Sequence, residues 1–147
     1  MPRYWEDFEQ GQVFDLGSRS LSEDEMIAFA RDWDPQFFHI DPEAAQDGPF
    51  GGLVASGWQT AALWGRMFVD AVLSQAEAMG GDGITDIRFF EPTRPGMRLH
   101  GQITVVETKA SSTRPDVGTV IGDAQLTSDT GSTVMSLQIR LYFRRRP

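Results

Sequence analysis

The sequence predicts an α+β fold in which a curved antiparallel sheet wraps around one long central helix. Two observations support this prediction. Residues 57–79 carry apolar side chains on nearly every face of a helix, so other parts of the chain must surround them. Four later segments alternate apolar and polar residues, as strands with one buried face do. Wrapping such a sheet around such a helix buries the apolar surfaces of both.

The composition predicts one compact domain over residues 1–147 and excludes several classes of site. The net charge of −8, from 13 basic and 21 acidic residues, disfavours binding to nucleic acids and to anionic membranes. The chain has no cysteine, which excludes disulfides, thiolate zinc sites and cysteine nucleophiles. Residues 1–10 lack a signal-peptide pattern, and the uncharged residues 48–65 are too short and too polar to span a membrane. We therefore expect a soluble, cytoplasmic protein.

Two short helices are predicted before the long one. Ser22 and Glu25 have the spacing of a capping box, which predicts a first helix beginning there. It should end at Asp34, because a proline follows and disfavours helical backbone before it. A second helix should begin at Asp41, which precedes a proline suited to the first helical position. Gly48 and the next proline should end it.

The long helix and the strands follow. The polar residues of the helix fall at i, i+4 and i+8 and form one narrow stripe: Arg66, Asp70 and Ser74. Strands are predicted at residues 84–90, 98–105, 120–127 and 134–143, with turns at residues 94–96 and 129–131 and a candidate fifth strand at residues 12–16. Because edge strands are natural places for two chains to pair, we expect a homodimer or a larger homo-oligomer.

Asp34 and His39 are the candidate catalytic residues. They lie on a short segment between two helix signals, and a proline stiffens its start. A carboxylate and an imidazole supply a proton acceptor and a group that titrates near neutrality, so together they can activate water and return a proton elsewhere. The structural alternative stays open on these residues alone. Asp before Pro is common in turns, and His39 could pack between Phe38 and Ile40.

The start of the long helix is a second candidate site. The first N–H groups of a helix have no internal partner and carry positive potential. Gly57 has no side chain that would block a ligand carbonyl, so this end could form an oxyanion site. Ser56 is expected as the N-cap, with contact to a ligand as the alternative. It lacks the Gly-x-Ser-x-Gly context of a hydrolase nucleophile.

No metal or cofactor site is predicted. The two histidines, His39 and His100, have no metal-ligand spacing with the scattered carboxylates. Residues 80–83 form a glycine-rich turn that precedes a strand, whereas a phosphate loop precedes a helix. Residues 144–146, three arginines, are expected to be a solvated tail, with contact to a phosphate as the alternative.

Residues 34–42 resemble the signature of the MaoC-like dehydratases, the (R)-specific enoyl-CoA hydratase group of the hot-dog fold. That signature has Asp, any residue, Asn or Gln, Pro, any residue, His, and often Asp two positions later. Asp34 and His39 match its catalytic positions, Gln36 its amide position and Asp41 its later Asp. Residues 50–60 and 89–96 resemble the start of the family's central helix and its next strand and turn. The resemblance covers residues 5–144.

The resemblance implies a hot-dog fold, a dimer or larger assembly, and reversible addition of water to a trans-2-enoyl thioester of coenzyme A or acyl carrier protein. Asp34 would take a proton from water, and His39 would hold that water and help to deliver a proton to the α-carbon. The Gly57 amide would polarise the thioester carbonyl, and Ser56 and Gln36 would take part in substrate binding. A local basic patch of Arg88, Arg94 and Arg98 could accommodate coenzyme A.

Two departures from the family pattern leave other functions open. Phe37 replaces the usual proline, and Trp33 stands where the hydratases usually have glycine. Two bulky aromatic residues could fill the site, which would make the chain a non-catalytic acyl-thioester-binding or partner subunit. A third hypothesis is a hot-dog acyl-CoA thioesterase that uses a carboxylate and water on the same scaffold. The spacing from Asp34 to His39 argues against the thioesterase.

Overall fold

The computed structural model describes residues 1–147 and contains one five-stranded sheet. The helices are Glu23–Trp33 (α1), Phe37–Ile40 (α2), Pro42–Ala45 (α3) and Gly57–Ala71 (α4), and the strands are Val13–Arg19 (β1), Ala78–Phe89 (β2), Leu99–Ala110 (β3), Val117–Ser128 (β4) and Thr133–Arg144 (β5). The strand order is β1-β3-β4-β5-β2, and every neighbouring pair is antiparallel. The predicted α+β class is confirmed.

Helix α4 packs one side against the sheet, as predicted, but the chain does not surround it on nearly every face as expected. The Trp64 Nε1–H donates to the Gln102 carbonyl of β3 at 3.2 Å. Gly101 of the same strand leaves room for Met67, whose methyl group would lie 2.9 Å from a Cβ at that position. The opposite side of α4 is open, since Trp58 is 67% and Val69 44% exposed. None of the helices has the length and apolar character of a membrane span.

The capping residues lie where the sequence places them. Ser22 Oγ accepts from the Glu25 N–H at 3.1 Å, and the Glu25 carboxylate accepts from the Ser22 N–H at 3.2 Å, which completes the capping box of α1. Asp41 accepts from the Ala44 N–H at 3.1 Å and caps α3. The single turn of α2 was not predicted, and it carries His39.

The predicted end of the long helix is wrong, and so is the turn at residues 80–83. Helix α4 ends at Ala71, a short 3-10 turn follows, and β2 begins at Ala78. Residues 80–83 therefore lie inside β2. Gly81 is needed there because a Cβ would collide with the Arg140 carbonyl of β5. Gly80, with φ +88°, is left-handed within the bulged pairing.

The C-terminal arginines do not form the expected solvated tail. Arg144 belongs to β5. Arg145 lies 3.2 Å from the Glu6 carboxylate and Arg146 lies 2.7 Å from that of Asp7. The prediction failed because the partners lie at the other end of the chain, where a local charge pattern gives no indication of them.

Candidate active site

Asp34 and His39 are positioned by the end of α1 and by the single turn of α2. Asp34 is the C-cap of α1, and its N–H donates to the Ala30 carbonyl at 2.8 Å. Its φ and ψ of −156° and 68° turn the chain out of the helix. Helix α2 then brings His39 inward, where the ring is 7% exposed, against 18% for the Asp34 side chain. The two side chains therefore face each other at the edge of the core.

The neighbours of the His39 ring determine which nitrogen of the imidazole carries a proton. Asp34 Oδ2 lies 3.3 Å from His39 Nε2. His39 Nδ1 lies 2.7 Å from the Val54 carbonyl oxygen, which can only accept, so Nδ1 carries a proton. In the neutral ring, Nε2 is then a hydrogen-bond acceptor directed at the carboxylate. Two acceptors side by side are suited to binding a donor such as water.

Both oxygens of Asp34 accept hydrogen bonds from neighbouring side chains. Gln36 donates to Oδ1 and Ser56 donates to Oδ2, each at 2.8 Å. Partial burial raises the pKa of Asp34, but the bonds from Gln36 and Ser56, with the nearby His39 ring, outweigh it and hold that pKa below its usual value. Asp34 is therefore ionised at neutral pH.

Ser56 and Gly57 form the start of α4 beside this carboxylate. Ser56 is the N-cap, as predicted, and its hydroxyl accepts from the Trp58 N–H at 3.3 Å. It is completely buried, and its own proton goes to Asp34. The Gly57 N–H donates to no other group of the chain. The helix start thus offers an unpaired hydrogen-bond donor close to Asp34, although Gly57 is distant from it along the chain.

These residues line one cavity of about 420 Å³. Asp34, Gln36, His39 and Gly57 form one part of its wall, and four aromatic side chains form much of the rest: Phe38, Phe50, Phe89 and Phe90. The sequence analysis assigned Phe50, Phe89 and Phe90 no place in the site. The adjacent aromatic residues Phe89 and Phe90, at the end of a predicted strand, were the sequence feature that could have indicated their place in the cavity wall. Another cavity, of about 410 Å³, lies at the β3–β4 hairpin and contains neither Asp34 nor His39.

The two aromatic residues that could have filled the site, under the alternative of a binding subunit, lie outside the cavity. Trp33 is 73% exposed and does not line it. Phe37 packs edge-on against Phe38 and against Gly48, where a Cβ would be 2.8 Å from its ring. Neither residue therefore occupies the space beside Asp34.

Of the predicted basic patch, Arg94 lies next to the cavity. It donates to the Phe50 carbonyl at 2.7 Å and so tethers the glycine-rich segment at residues 50–52. Arg88 is paired with Asp86 at 2.9 Å, which reduces its availability to an anion. No group of three or more histidine, aspartate or glutamate side chains is arranged to hold a metal ion.

Comparison with solved structures identifies the fold. The crystal structure of the MaoC-like dehydratase from Rhodospirillum rubrum matches with a TM-score of 0.90 and 36% identity, over 99% of both chains. R-Hydratase PhaJ1 from Pseudomonas aeruginosa matches with a TM-score of 0.79 and 21% identity, over 97% of this chain and 86% of that one. A Mycobacterium tuberculosis protein with a double hotdog fold matches with a TM-score of 0.83 and 18% identity, over 99% of this chain and 45% of that one. The fold is therefore the hot-dog fold.

Comparison of sequences points the same way. A family model described as MaoC like domain matches residues 7–125. The protein YdeM from Bacillus subtilis is 29% identical over 116 residues, which are 79% of this chain and 82% of YdeM. The 3-hydroxyacyl-thioester dehydratase Z from Mycobacterium tuberculosis is 30% identical over 89 residues, so the match spans 59% of each protein.

Proposed function

The chain belongs to the MaoC-like dehydratase family, and from this premise we propose that it is a hydro-lyase that adds water reversibly to a trans-2-enoyl thioester. The observation that supports the proposal most directly is the 3.3 Å approach of Asp34 Oδ2 to His39 Nε2. Both side chains line the same cavity as Gly57, whose N–H is unpaired. Similarity to a 3-hydroxyacyl-thioester dehydratase supports the same class of reaction.

The first half of the reaction is activation of water. A water in the cavity beside the pair donates one hydrogen to the ionised Asp34 carboxylate and the other to His39 Nε2, because both atoms are acceptors. Asp34 then takes a proton from the water, and the oxygen bonds to the β-carbon of the enoyl group. Gln36 and Ser56 hold the carboxylate in position for this step.

The second half requires an oxyanion site and the return of the proton. As the new C–O bond forms, the electron pair of the C=C bond moves toward the thioester carbonyl oxygen. The Gly57 N–H, at the positive end of α4, stabilises the resulting enolate. The proton on Asp34 passes to His39 and on to the α-carbon, which completes the addition. The reverse sequence of steps is dehydration.

Hydration of crotonyl-CoA and longer enoyl-CoAs, followed as loss of the enoyl absorbance, tests the proposal. We expect Asp34→Asn and His39→Gln each to lower kcat/KM by about 10²–10⁴-fold, because each removes a group that accepts or transfers the proton. His100→Gln is the matched control, since that histidine pairs with Asp129 and lies outside the cavity.

Other results would assign the alternative functions. Unchanged activity in Asp34→Asn and His39→Gln would rule out the proposed mechanism. Release of free thiol from saturated acyl-CoA, with no hydration of enoyl-CoA, would identify a thioesterase. Tight binding of acyl-CoA with no reaction at any chain length would identify a binding subunit.

We also propose that the protein is a homodimer that pairs through β2. This strand is an edge of the sheet and carries exposed apolar side chains, with Ile84 54% and Phe89 49% exposed. The open side of α4 carries Trp58 and Val69, which are also exposed. An apolar edge strand and an apolar helix face in one monomer favour association with a second copy.

A further inference from the structure

Two cavities meet at the candidate active site. The first is the cavity of about 420 Å³ described above. The second, of about 330 Å³, has Trp58 and Ile87 in its wall. Asp34, Gly57 and Phe89 line both. Asp34 and Gly57 therefore lie at a junction, and Phe89 is the one large apolar side chain common to the two spaces.

The backbone of Phe89 is fixed at this junction, while the residue is 49% exposed. It ends β2 opposite Met135 of β5, and the next residue, Phe90, donates its N–H to the Val134 carbonyl at 2.8 Å. The Phe89 ring lies against Gly57, where a Cβ would be 2.9 Å from the nearest ring carbon. The ring therefore stands across the start of α4, beside the N–H assigned to the thioester carbonyl.

The two cavities differ in chemistry. Apart from the shared residues, the smaller one is lined by the apolar side chains of Trp58 and Ile87. The larger one is also mainly apolar, with Phe38, Phe50 and Phe90 in its wall, but only it adds the polar side chains of Gln36, Glu91 and Thr93. A thioester bound at the junction has two arms, an apolar acyl chain and a polar carrier arm containing amide groups. The smaller cavity suits the first and the larger cavity suits the second.

We propose that Phe89 sets the size of the acyl chain that this protein accepts, as the wall between an acyl cavity at Trp58 and Ile87 and a carrier cavity at Gln36 and Glu91. The proposal rests on the function proposed above. Removing the ring adds its volume to the acyl cavity, so larger acyl groups gain space. A single methylene in an apolar pocket changes discrimination by about 10-fold or more.

The experiment compares kcat/KM for crotonyl-CoA, octenoyl-CoA and dodecenoyl-CoA in the wild type, Phe89→Ala and Phe90→Ala. We expect Phe89→Ala to raise the ratio of octenoyl-CoA or dodecenoyl-CoA to crotonyl-CoA by about 10-fold or more. Phe90 is the matched aromatic neighbour that lines only the larger cavity, so Phe90→Ala should leave that ratio unchanged. Phe89→Leu, which keeps more of the strand-end packing, should shift the ratio in the same direction by less.

A parallel measurement separates this proposal from the proposed function. The Kd values of saturated butyryl-, octanoyl- and dodecanoyl-CoA report chain-length preference without turnover. If the wild type hydrates no enoyl-CoA, the hydro-lyase proposal fails, and a shift of these Kd values in Phe89→Ala still supports the assignment of Phe89. An unchanged preference in Phe89→Ala, or an equal shift in Phe90→Ala, overturns the assignment.

Discussion

The Asp34 carboxylate accepts hydrogen bonds from one exposed and one buried donor, and loss of the two bonds should affect the pKa of Asp34 differently. Gln36 is exposed, so water can replace its hydrogen bond. Ser56 is completely buried, so nothing replaces its donation to Oδ2 when the hydroxyl is removed. Ser56 is thus the positioning residue whose loss should change the acidity of Asp34 most.

Ser56→Ala should move the acidic limb of the pH profile of kcat/KM to higher pH. The hydroxyl stabilises the ionised form of Asp34 and so lowers its pKa, and removing it raises that pKa. The variant should therefore lose activity at a higher pH than the wild type as the pH falls. Ser22→Ala is the control, because it removes the same kind of helix cap from α1, away from Asp34. Loss of the cap should lower the free energy of unfolding by about 0.5–2 kcal/mol in each variant. An unshifted limb in Ser56→Ala, or an equal shift in Ser22→Ala, contradicts the role of Ser56.

Gly57→Ala should lower kcat/KM by up to about 10²–10³-fold, the cost of losing one oxyanion donor. The added methyl group would lie 2.9 Å from the Phe89 ring, beside the N–H that must reach the thioester carbonyl. The Tm should fall only slightly, because the Phe89 ring is half-exposed and can shift away from the added methyl group. Gly65→Ala in the same helix is the control, since a Cβ there meets nothing within 4 Å. Full activity in Gly57→Ala would show that this amide does not contact the substrate.

At the scale of helices and strands, the features with local causes were predictable from the sequence. The caps Ser22, Asp41 and Ser56 act on residues two or three positions away, and their helices begin as predicted. The end of α4 was not predictable, because apolar residues continue beyond Ala71 and the helix stops where the chain turns to pair β2 with β5. The periodicity of apolar residues in a helix gives no information about which strands pair later in the chain.

The candidate site was predictable in part for the same reason. Asp34 and His39 are five residues apart, so they form a pattern that can be recognised in the sequence. The bond from Ser56 to Asp34 joins residues 22 apart, and Phe89 reaches Gly57 from a strand that follows α4. Only the folded chain brings these groups together, so the sequence could not assign Phe89 a place in the site.

Ile84→Lys should convert the protein from a dimer to a monomer, measured by sedimentation or by light scattering after gel filtration. A charge on an edge strand opposes pairing with a second strand. Val13→Lys is the control, because Val13 is a similarly exposed apolar residue on β1, the other edge of the sheet. If Val13→Lys dissociates the dimer and Ile84→Lys does not, the interface lies at β1 and not at β2. A wild-type monomer would contradict the dimer.

Across the whole molecule, the two ends of the chain are fastened to each other. The Arg145 and Arg146 guanidinium groups lie 5.2 Å and 5.4 Å from the ring centres of Trp5 and Tyr4. The Trp5 Nε1–H donates to the Thr119 carbonyl of β4 at 3.1 Å. The first turn of the chain is thereby attached to the sheet, far along the sequence from its partners.

Asp7→Asn should lower the Tm at neutral pH by at most about 4 °C, since an exposed ion pair contributes about 0–1 kcal/mol. The Tyr4 N–H and the Arg146 guanidinium lower the pKa of Asp7 in the folded protein. A lowered pKa stabilises the fold above the ordinary pKa of the carboxyl, and that contribution is lost as the pH falls through the lowered value. The difference between Asp7→Asn and the wild type should therefore vanish in acid. It should also shrink in high salt, because the pair is exposed to solvent. Asp47→Asn is the control, because Asp47 is exposed and forms no ion pair, and this variant should leave the Tm unchanged. If the loss of Tm in Asp7→Asn persists unchanged in acid, the ion pair of Asp7 with Arg146 does not join the two ends of the chain in solution.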